Sequence, residues 1–377
     1  MHHNFSGGPG ALPESVLREA SQAVTEVAGE GVSILGISHR SSWFRNVLDE
    51  AEENIRGLLS IPPEYRIMFL QGGATLQFSM VPMTLLRGRS DPAEYLHTGY
   101  WSGKSITEAR REGPVRILKG SSLNFGALPS ASELESQHHQ NAPYLHYVSN
   151  ETVEGLQFHR TVGRDDVMRV CDMSSDFLSR PFDINKYVIV YAHAQKNLGP
   201  AGVTVVILRE DILSRVSDDM PAMLDYREHA NMRSVYNTPP VFAIYITMLV
   251  LRWLRKEIGG LEAMDAMNQA KAAALYSALD ASQNFYRGHA AVRDRSLMNA
   301  AFRLPTVRLE QSFLEQAKNH GLYGLEGHRS IGGIRASLYN AVTIEAVMNL
   351  CAFMENFQQQ HGRESELNES ASMKAAL

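Results

Sequence analysis

Five side chains able to take part in chemistry stand in file along this sequence, each just past an apolar run: Thr75, Trp101, Thr152, Asp172 and Lys196. Lys196 is the most telling. It follows Tyr187-Val-Ile-Val-Tyr191, an unbroken β-branched and aromatic run that reads as a strand buried on both faces. Asn197, Gly199, Pro200 and Gly202 then turn the chain into a second apolar run, Val203 to Leu208. An ammonium held between buried strands is costly unless it is paired or neutralised. Two readings are open: the lysine leans out of the turn into solvent, or burial depresses its pKa so that its amine can form a Schiff base with a carbonyl.

The other four side chains weigh on that choice. Gln71-Gly-Gly-Ala-Thr75 lies between a strand and a helix start, a geometry that points free backbone N–H groups at an anion. Trp101 offers a flat apolar face, Thr152 a hydroxyl and Asp172 a carboxylate. Singly, each has an ordinary explanation. Most Gly-Gly pairs are only turns, a tryptophan is more often core, a turn threonine satisfies its own backbone, and Asp172 would cap a helix over Met173 to Asp176. Together, in this order and each at a strand end, they form the inventory pyridoxal 5'-phosphate requires. Backbone donors hold its phosphate, an aromatic face lies against its ring, a hydroxyl meets its phenolic oxygen, a carboxylate keeps its ring nitrogen protonated, and a lysine attaches it.

The elements that must position these groups alternate. Strands are predicted over Tyr65–Leu70, Glu94–Thr98, Tyr144–Ser149, Val167–Cys171, Tyr187–Tyr191 and Val203–Leu208. Between them lie helical or mixed segments, including helices over Glu14–Gly29 and Trp43–Leu59, and one after Thr75 that carries Pro82 and is expected to kink there. Strands alternating with helices, each ending in a polar or aromatic residue, predict an α/β fold with a mostly parallel central sheet and a site along its carboxyl ends. Two long apolar-periodic helices follow, roughly Pro240–Ile258 and Leu261–Ala281. A strand near Met298–Leu304 opens a smaller C-terminal α+β unit with an amphipathic helix from Thr343. The expected organisation is an N-terminal segment over 1–15 packing with the small domain, a large cofactor-binding domain over 16–258, the small domain over 259–361, and a polar tail over 362–377 without fixed structure.

Composition excludes several function classes. At 377 residues and 44% hydrophobic content the chain can bury a large core, and its net charge of −5 with mixed signs argues against a nucleic-acid surface. Cys171 and Cys351 are too few for a disulfide framework or a metal site of cysteine pairs, and both read as buried thiols in a reducing compartment. No signal-peptide apolar region stands at the start, and Val241–Leu251 is too short to span a bilayer. A cytoplasmic enzyme without metal, membrane or nucleic-acid partner is expected.

Eight stretches carry a resemblance: Asn4 to Pro13, Ile37 to Ser41, Phe69 to Phe78, Asn150 to Thr152, Asp172 to Asp176, Ala194 to Gly202, Tyr236 to Pro240 and Glu326 to Ser337. In these the chain resembles the class V aminotransferases of the fold-type I pyridoxal-phosphate enzymes, and among them the members that form phosphoserine. The resemblance spans about residues 4 to 361. It implies that Lys196 is the Schiff-base lysine and proton shuttle, that Asp172 pairs with the pyridinium nitrogen, that Trp101 stacks on the ring, and that Thr152 binds the phenolic oxygen. Ala74, Thr75 and Gln195 would hold the cofactor phosphate. Asn237 and Thr238 would reach that phosphate from a neighbouring subunit, making the active site a property of a homodimer. His193, before Ala194, is a small departure from the more familiar versions and removes no catalytic group.

The substrate follows from charge. A phosphorylated 2-oxo acid carries a carboxylate and a phosphate dianion, and the chain offers His39-Arg40, His328-Arg329 and Arg335. Arginine forks match both groups bidentately. By the resemblance, the two His-Arg pairs sit where the family reads the substrate phosphate, and Arg335 would hold the α-carboxylate. The implied reaction moves an amino group from L-glutamate to 3-phosphohydroxypyruvate, giving O-phospho-L-serine and 2-oxoglutarate. A phosphorylated four-carbon 2-oxo acid of pyridoxine biosynthesis is a second implied substrate. The alternatives are another class V enzyme, such as alanine–glyoxylate or serine–glyoxylate aminotransferase, and an inactive paralogue.

Overall fold

In the computed structural model, which describes residues 2–119 and 124–375 and side chains up to residue 362 other than that of residue 119, seven strands form one central sheet. Their spatial order is β2 (Tyr65–Leu70), β10 (Thr204–Arg209), β9 (Ile189–His193), β8 (Arg169–Asp172), β5 (Leu145–Val148), β3 (Ala93–His97) and β4 (Val115–Lys119). The pairs from β9 across to β4 are parallel. Only β10 runs against its two neighbours, β2 and β9. The lysine turn explains it: residues 194–203 are too few for a crossover, so the chain doubles back, with Ala194 N–H donating to Val203 O at 2.9 Å. β2 and the five parallel strands therefore all end on one edge.

The buried runs are two-sided, as unbroken apolar strands must be. On β9, Val190 and Ala192 face one core while Ile189 and Tyr191 face the other. The first core is completed by α1 (Glu14–Thr25), α2 (Ser42–Leu59) and α7 (Val241–Lys256). The second is completed by α3 (Gly73–Leu85), α4 (Tyr100–Ala109) and α6 (Tyr226–Asn231), with the short α5 (Ala131–Glu135) lying at the edge of the first. A third core gathers the C-terminal part: β12 (Asn299–Arg303) between β11 (Arg287–Gly288) and β14 (Ile334–Ser337), covered by α8 (Leu261–Ala281), α9 (Val307–Asn319) and α10 (Ile344–Ala375). The N-terminus joins it, since β1 (His3–Asn4) pairs in parallel with β13 (Leu322–Tyr323). A two-stranded ribbon, β6 (Asn150–Glu151) and β7 (Leu156–Gln157), projects from the end of β5.

Local chemistry sets the helix starts. Ser41 Oγ accepts from Phe44 N–H to cap α2, and Thr343 Oγ1 accepts from Ala346 N–H to cap α10. α3 starts at Gly72, whose φ of +86° favours glycine. Some expectations shift. α1 ends at Thr25 rather than Gly29, because Glu26 is extended. β4, a short edge strand, did not figure among the predicted strands. Cys351 is half-buried, not buried: it packs at the margin of the third core, its Sγ donating to Ala274 O of α8 at 3.7 Å. The expected tail over 362–377 belongs in backbone to α10 as far as Ala375, and its side chains beyond 362 lie outside the described residues.

Candidate active site

All five side chains considered first converge where the sheet's strands end. Thr75, Trp101, Thr152, Asp172 and Lys196 line one cavity of about 220 Å³, together with Gly73, Ala74, Asn150, Ser174, His193 and Gln195, with Thr75 arriving from the helix start after β2. Each arrives from a different strand end, which is why residues so far apart in sequence meet. Lys196 is only 8% exposed, so it does not lean into solvent. Its Nζ donates to Thr152 Oγ1 at 2.6 Å and stands 5.5 Å from the centre of the Trp101 ring. Burial pulls its pKa down to about 8; Asp172 works against that fall and Arg335 adds to it. Burial raises the Asp172 carboxyl, while Ser174, whose N–H donates to Asp172 Oδ1 at 2.8 Å, and the Lys196 charge hold it down. The helix expected over Met173 to Asp176 does not form; residues 174–178 are a turn, which Asp172 holds through Ser174 N–H while its side chain still lines the cavity.

The glycine turn forms a cradle. Gly72 and Gly73 both have positive φ, and a Cβ at Gly72 would come 2.5 Å from the Leu76 side chain. The turn brings the first N–H groups of α3, at Gly73, Ala74 and Thr75, to the cavity edge, where helix geometry leaves them without intrahelical partners. Across the cavity, the N-terminal segment lies over the lysine turn. Gly10 N–H donates to Gln195 O at 2.8 Å, and a side chain on Gly8 would meet Gln195 Nε2 at 3.0 Å. Tyr339 OH fixes the same segment by donating to Gly7 O at 2.8 Å.

The cations divide into two groups. Arg335 packs against Gly7, where a Cβ would come 2.2 Å from its guanidinium, and its buried Nε has no hydrogen-bond partner among the described residues. Its charge is felt at Lys196 and at His328, whose pKa is lowered by burial first and then by Arg335 and Arg329. The His328 ring lies 4.7 Å from that of Tyr100, which in turn meets Trp101 edge-on at 5.1 Å. His328, Arg329 and Arg335 therefore gather beside the cavity. His39 and Arg40 do not: His39 lines a separate pocket with Asp49, Glu52 and Arg233, and Arg40 is exposed. Nor do Asn237 and Thr238 line the lysine cavity of their own chain. Asn237 Nδ2 donates to Gln71 Oε1 at 2.7 Å, and Thr238 O accepts from Gln71 Nε2 at 2.8 Å, on an outer segment where Thr238 is exposed.

Two acidic residues escaped the sequence reading. Glu151, inside the quoted Asn-Glu-Thr stretch, accepts from Trp101 N–H at 3.1 Å and Ser102 N–H at 3.0 Å. Glu154 accepts from Tyr100 N–H at 2.8 Å. They cap α4 from outside, in place of the side chain that Gly99 lacks, and so set the position of Trp101. The available signal was a helix start at glycine with no capping side chain of its own.

Comparison with known proteins is consistent with this geometry. The chain matches the profile of the family Aminotransferase class-V over residues 2–350. It is similar to the phosphoserine aminotransferase of Rhodopirellula baltica, with 49% identity over 356 residues that make up 94% of each chain. Among solved structures it is similar to the phosphoserine aminotransferase from Bacillus circulans subsp. alkalophilus, with a TM-score of 0.92 and 44% identity over 96% of this chain and 99% of that one. It is also similar to the PLP-bound phosphoserine aminotransferase from Trichomonas vaginalis, with a TM-score of 0.89 and 36% identity over 94% of this chain and 100% of that one.

Proposed function

This chain belongs to the class V aminotransferases, and from that premise we infer that it is a pyridoxal-phosphate-dependent phosphoserine aminotransferase, moving the amino group of L-glutamate to 3-phosphohydroxypyruvate. The observation that carries the reading is the cavity in which a buried lysine with a lowered pKa meets a buried carboxylate, an aromatic face and a glycine cradle. The residues fit the cofactor. The Gly72–Thr75 turn and Gln195 suit its phosphate, Trp101 its ring face, Thr152 its phenolic oxygen and Asp172 its ring nitrogen. When bound, pyridoxal phosphate supplies an electron-withdrawing ring that stabilises a carbanion at the substrate Cα.

In this reading the chain's own groups do the remaining work. Lys196 Nζ would hold the cofactor covalently and, when free, would carry a proton to and from the substrate Cα. Asp172, whose Oδ1 accepts from Ser174 N–H, would pair with the ring nitrogen and hold it cationic. Arg335, with its unpartnered Nε, takes the α-carboxylate, and His328 and Arg329 take the distal phosphate or the γ-carboxylate of glutamate. One set of cations serves both substrates in alternation.

The groups left out of the cavity support a dimeric site. Asn237, Thr238, His39 and Arg40 lie on outer segments of the chain, and Met232 and Tyr236 expose apolar surface beside the first two. We assign these four residues to the neighbouring subunit's site, Asn237 and Thr238 at the cofactor phosphate and His39-Arg40 at the substrate phosphate. No helix among the described residues is long and apolar enough to cross a membrane, and the unpaired Cys171 and Cys351 suit a reducing cytoplasm. The test is a coupled assay with 2-oxoglutarate as acceptor and O-phospho-L-serine, L-serine and L-alanine as donors. Turnover confined to phosphoserine is expected. Equal or faster turnover of serine or alanine would overturn the substrate assignment, and no turnover of any donor by protein that binds the cofactor would overturn the activity.

A further inference from the structure

His193 closes β9 three residues before Lys196 and lines the same cavity, at the end formed by Gly73, Ala74 and Thr75. Its ring faces the glycine turn: a Cβ built on Gly73 would stand 3.9 Å from both Cε1 and Nδ1. Its setting is fixed on two sides. Nδ1 pairs with Thr204 Oγ1 of β10 at 3.0 Å, and its backbone N–H donates to Ser174 Oγ at 3.1 Å. Among the described residues, Lys196 and His193 are the only ones lining this cavity that can carry positive charge. Lys196 is committed to the carbonyl end. The cradle itself offers backbone N–H groups and a helix N-terminus, which favour an anion but bring no full charge. A phosphate dianion drawn out of water into that cradle requires charge-assisted donors.

We propose that His193 is a ligand of the cofactor phosphate, donating a ring N–H as an imidazolium, so that cofactor binding takes up a proton from solvent onto His193. The proposal rests on the reading of this cavity as a pyridoxal phosphate site. The sign follows from the neighbours. In the free protein burial lowers the His193 pKa first and the Lys196 charge second, while the Val203 backbone opposes them. From β10 it meets Thr204 and Val203, from the segment after β8 Ser174, and from α3 the backbone at Gly73, none of which changes charge near neutrality. Asp172 lines the same cavity and is the carboxylate that the reading above gives to the ring nitrogen. A dianion at the cradle favours the protonated ring. Affinity for a phosphorylated cofactor then rises as pH falls through neutrality.

The experiment titrates full-length protein, freed of bound cofactor, with pyridoxal phosphate and separately with pyridoxal, following the absorbance of the bound form from about pH 6 to pH 9. The wild type is compared with His193→Gln. The expected result is a loss of about 10- to 100-fold in pyridoxal phosphate affinity for the variant, with pyridoxal affinity unchanged. The phosphate-specific gain, the ratio of the two affinities, should fall with rising pH in the wild type and be flat in the variant. Proton uptake, read by calorimetry in buffers of different ionisation enthalpy, should drop in the variant. Equal pyridoxal phosphate affinity in the two proteins across this range would overturn the assignment of His193 while leaving the cofactor reading intact. Failure of the wild type to bind pyridoxal phosphate at all would overturn both. If His193→Gln does not fold, the wild-type ratio alone decides: a ratio independent of pH overturns the proposal.

Discussion

Burial and charge pull in opposite directions at Lys196. The low dielectric of its surroundings favours the free amine, Asp172 favours the ammonium, and burial wins, leaving the pKa at about 8. Attack on a carbonyl needs the free amine, so the rate of covalent attachment of pyridoxal phosphate should climb through about pH 8 rather than near the value of an exposed lysine. Stopped-flow absorbance across this range checks it, and a rate that climbs only above about pH 10 would place Lys196 in solvent. Asp172→Asn keeps the shape of the cavity and the acceptor for Ser174 N–H but removes the charge. It should cost about 10²- to 10³-fold in kcat with far less effect on cofactor content, as steady-state kinetics and bound-cofactor absorbance would show. These residues were legible in the sequence because each sits at the end of an apolar run, where a parallel sheet places its site. Their ordinary explanations were separable only in combination, since Asp172 does in fact cap the backbone at Ser174 as well.

At the scale of the element, α4 depends on two carboxyl groups that are not its own. Glu151 and Glu154 supply the acceptors for its first N–H groups, and Glu154 Oε2 remains buried without a partner. Burial, and then the Glu151 charge, push Glu154 up to about 8. The linkage has a definite sign. Above the ordinary carboxylate pKa the unfolded chain has released this proton while the folded protein keeps it, so the contribution of Glu154 to stability falls as pH rises and levels off above about 8. Glu154→Gln retains the acceptor for Tyr100 N–H and removes the titration. Relative to wild type, its thermal unfolding temperature should rise between pH 5.5 and 8.5, to be read by circular dichroism at about these two values. A difference that stays constant would mean that Glu154 is ionised throughout. The capping function was hidden in the sequence because cap and helix are some fifty residues apart and meet only through the sheet. β4 was missed for a related reason: a short edge strand has little apolar surface to bury and so little periodicity to show.

For the whole molecule the question is which groups come from which chain. The sequence pointed to a two-subunit site by resemblance alone, because nothing in the periodicity of Asn237-Thr238 or His39-Arg40 says which cavity they serve. The fold leaves all four outside the lysine cavity of their own chain. Mixing Lys196→Ala and Asn237→Ala chains should therefore rebuild one intact site per hybrid dimer and recover about a quarter of wild-type activity, whereas either variant alone stays low. No recovery would mean that Asn237 acts within its own chain. The molecule also carries a control for its central chemistry. Lys271, on α8, is 1% exposed, and burial pulls its pKa down to about 7. Its Nζ is spent on the carbonyls of Leu338 and Tyr339, at 3.0 and 2.9 Å, away from the cavity. A lowered pKa alone would make both lysines candidates for the cofactor, but only Lys196 has the cavity. The most direct measurement is borohydride reduction of the protein with pyridoxal phosphate, followed by peptide mass mapping. The expected result is a stable adduct on Lys196 and none on Lys271; an adduct on any other lysine, or no adduct at all, would contradict the account.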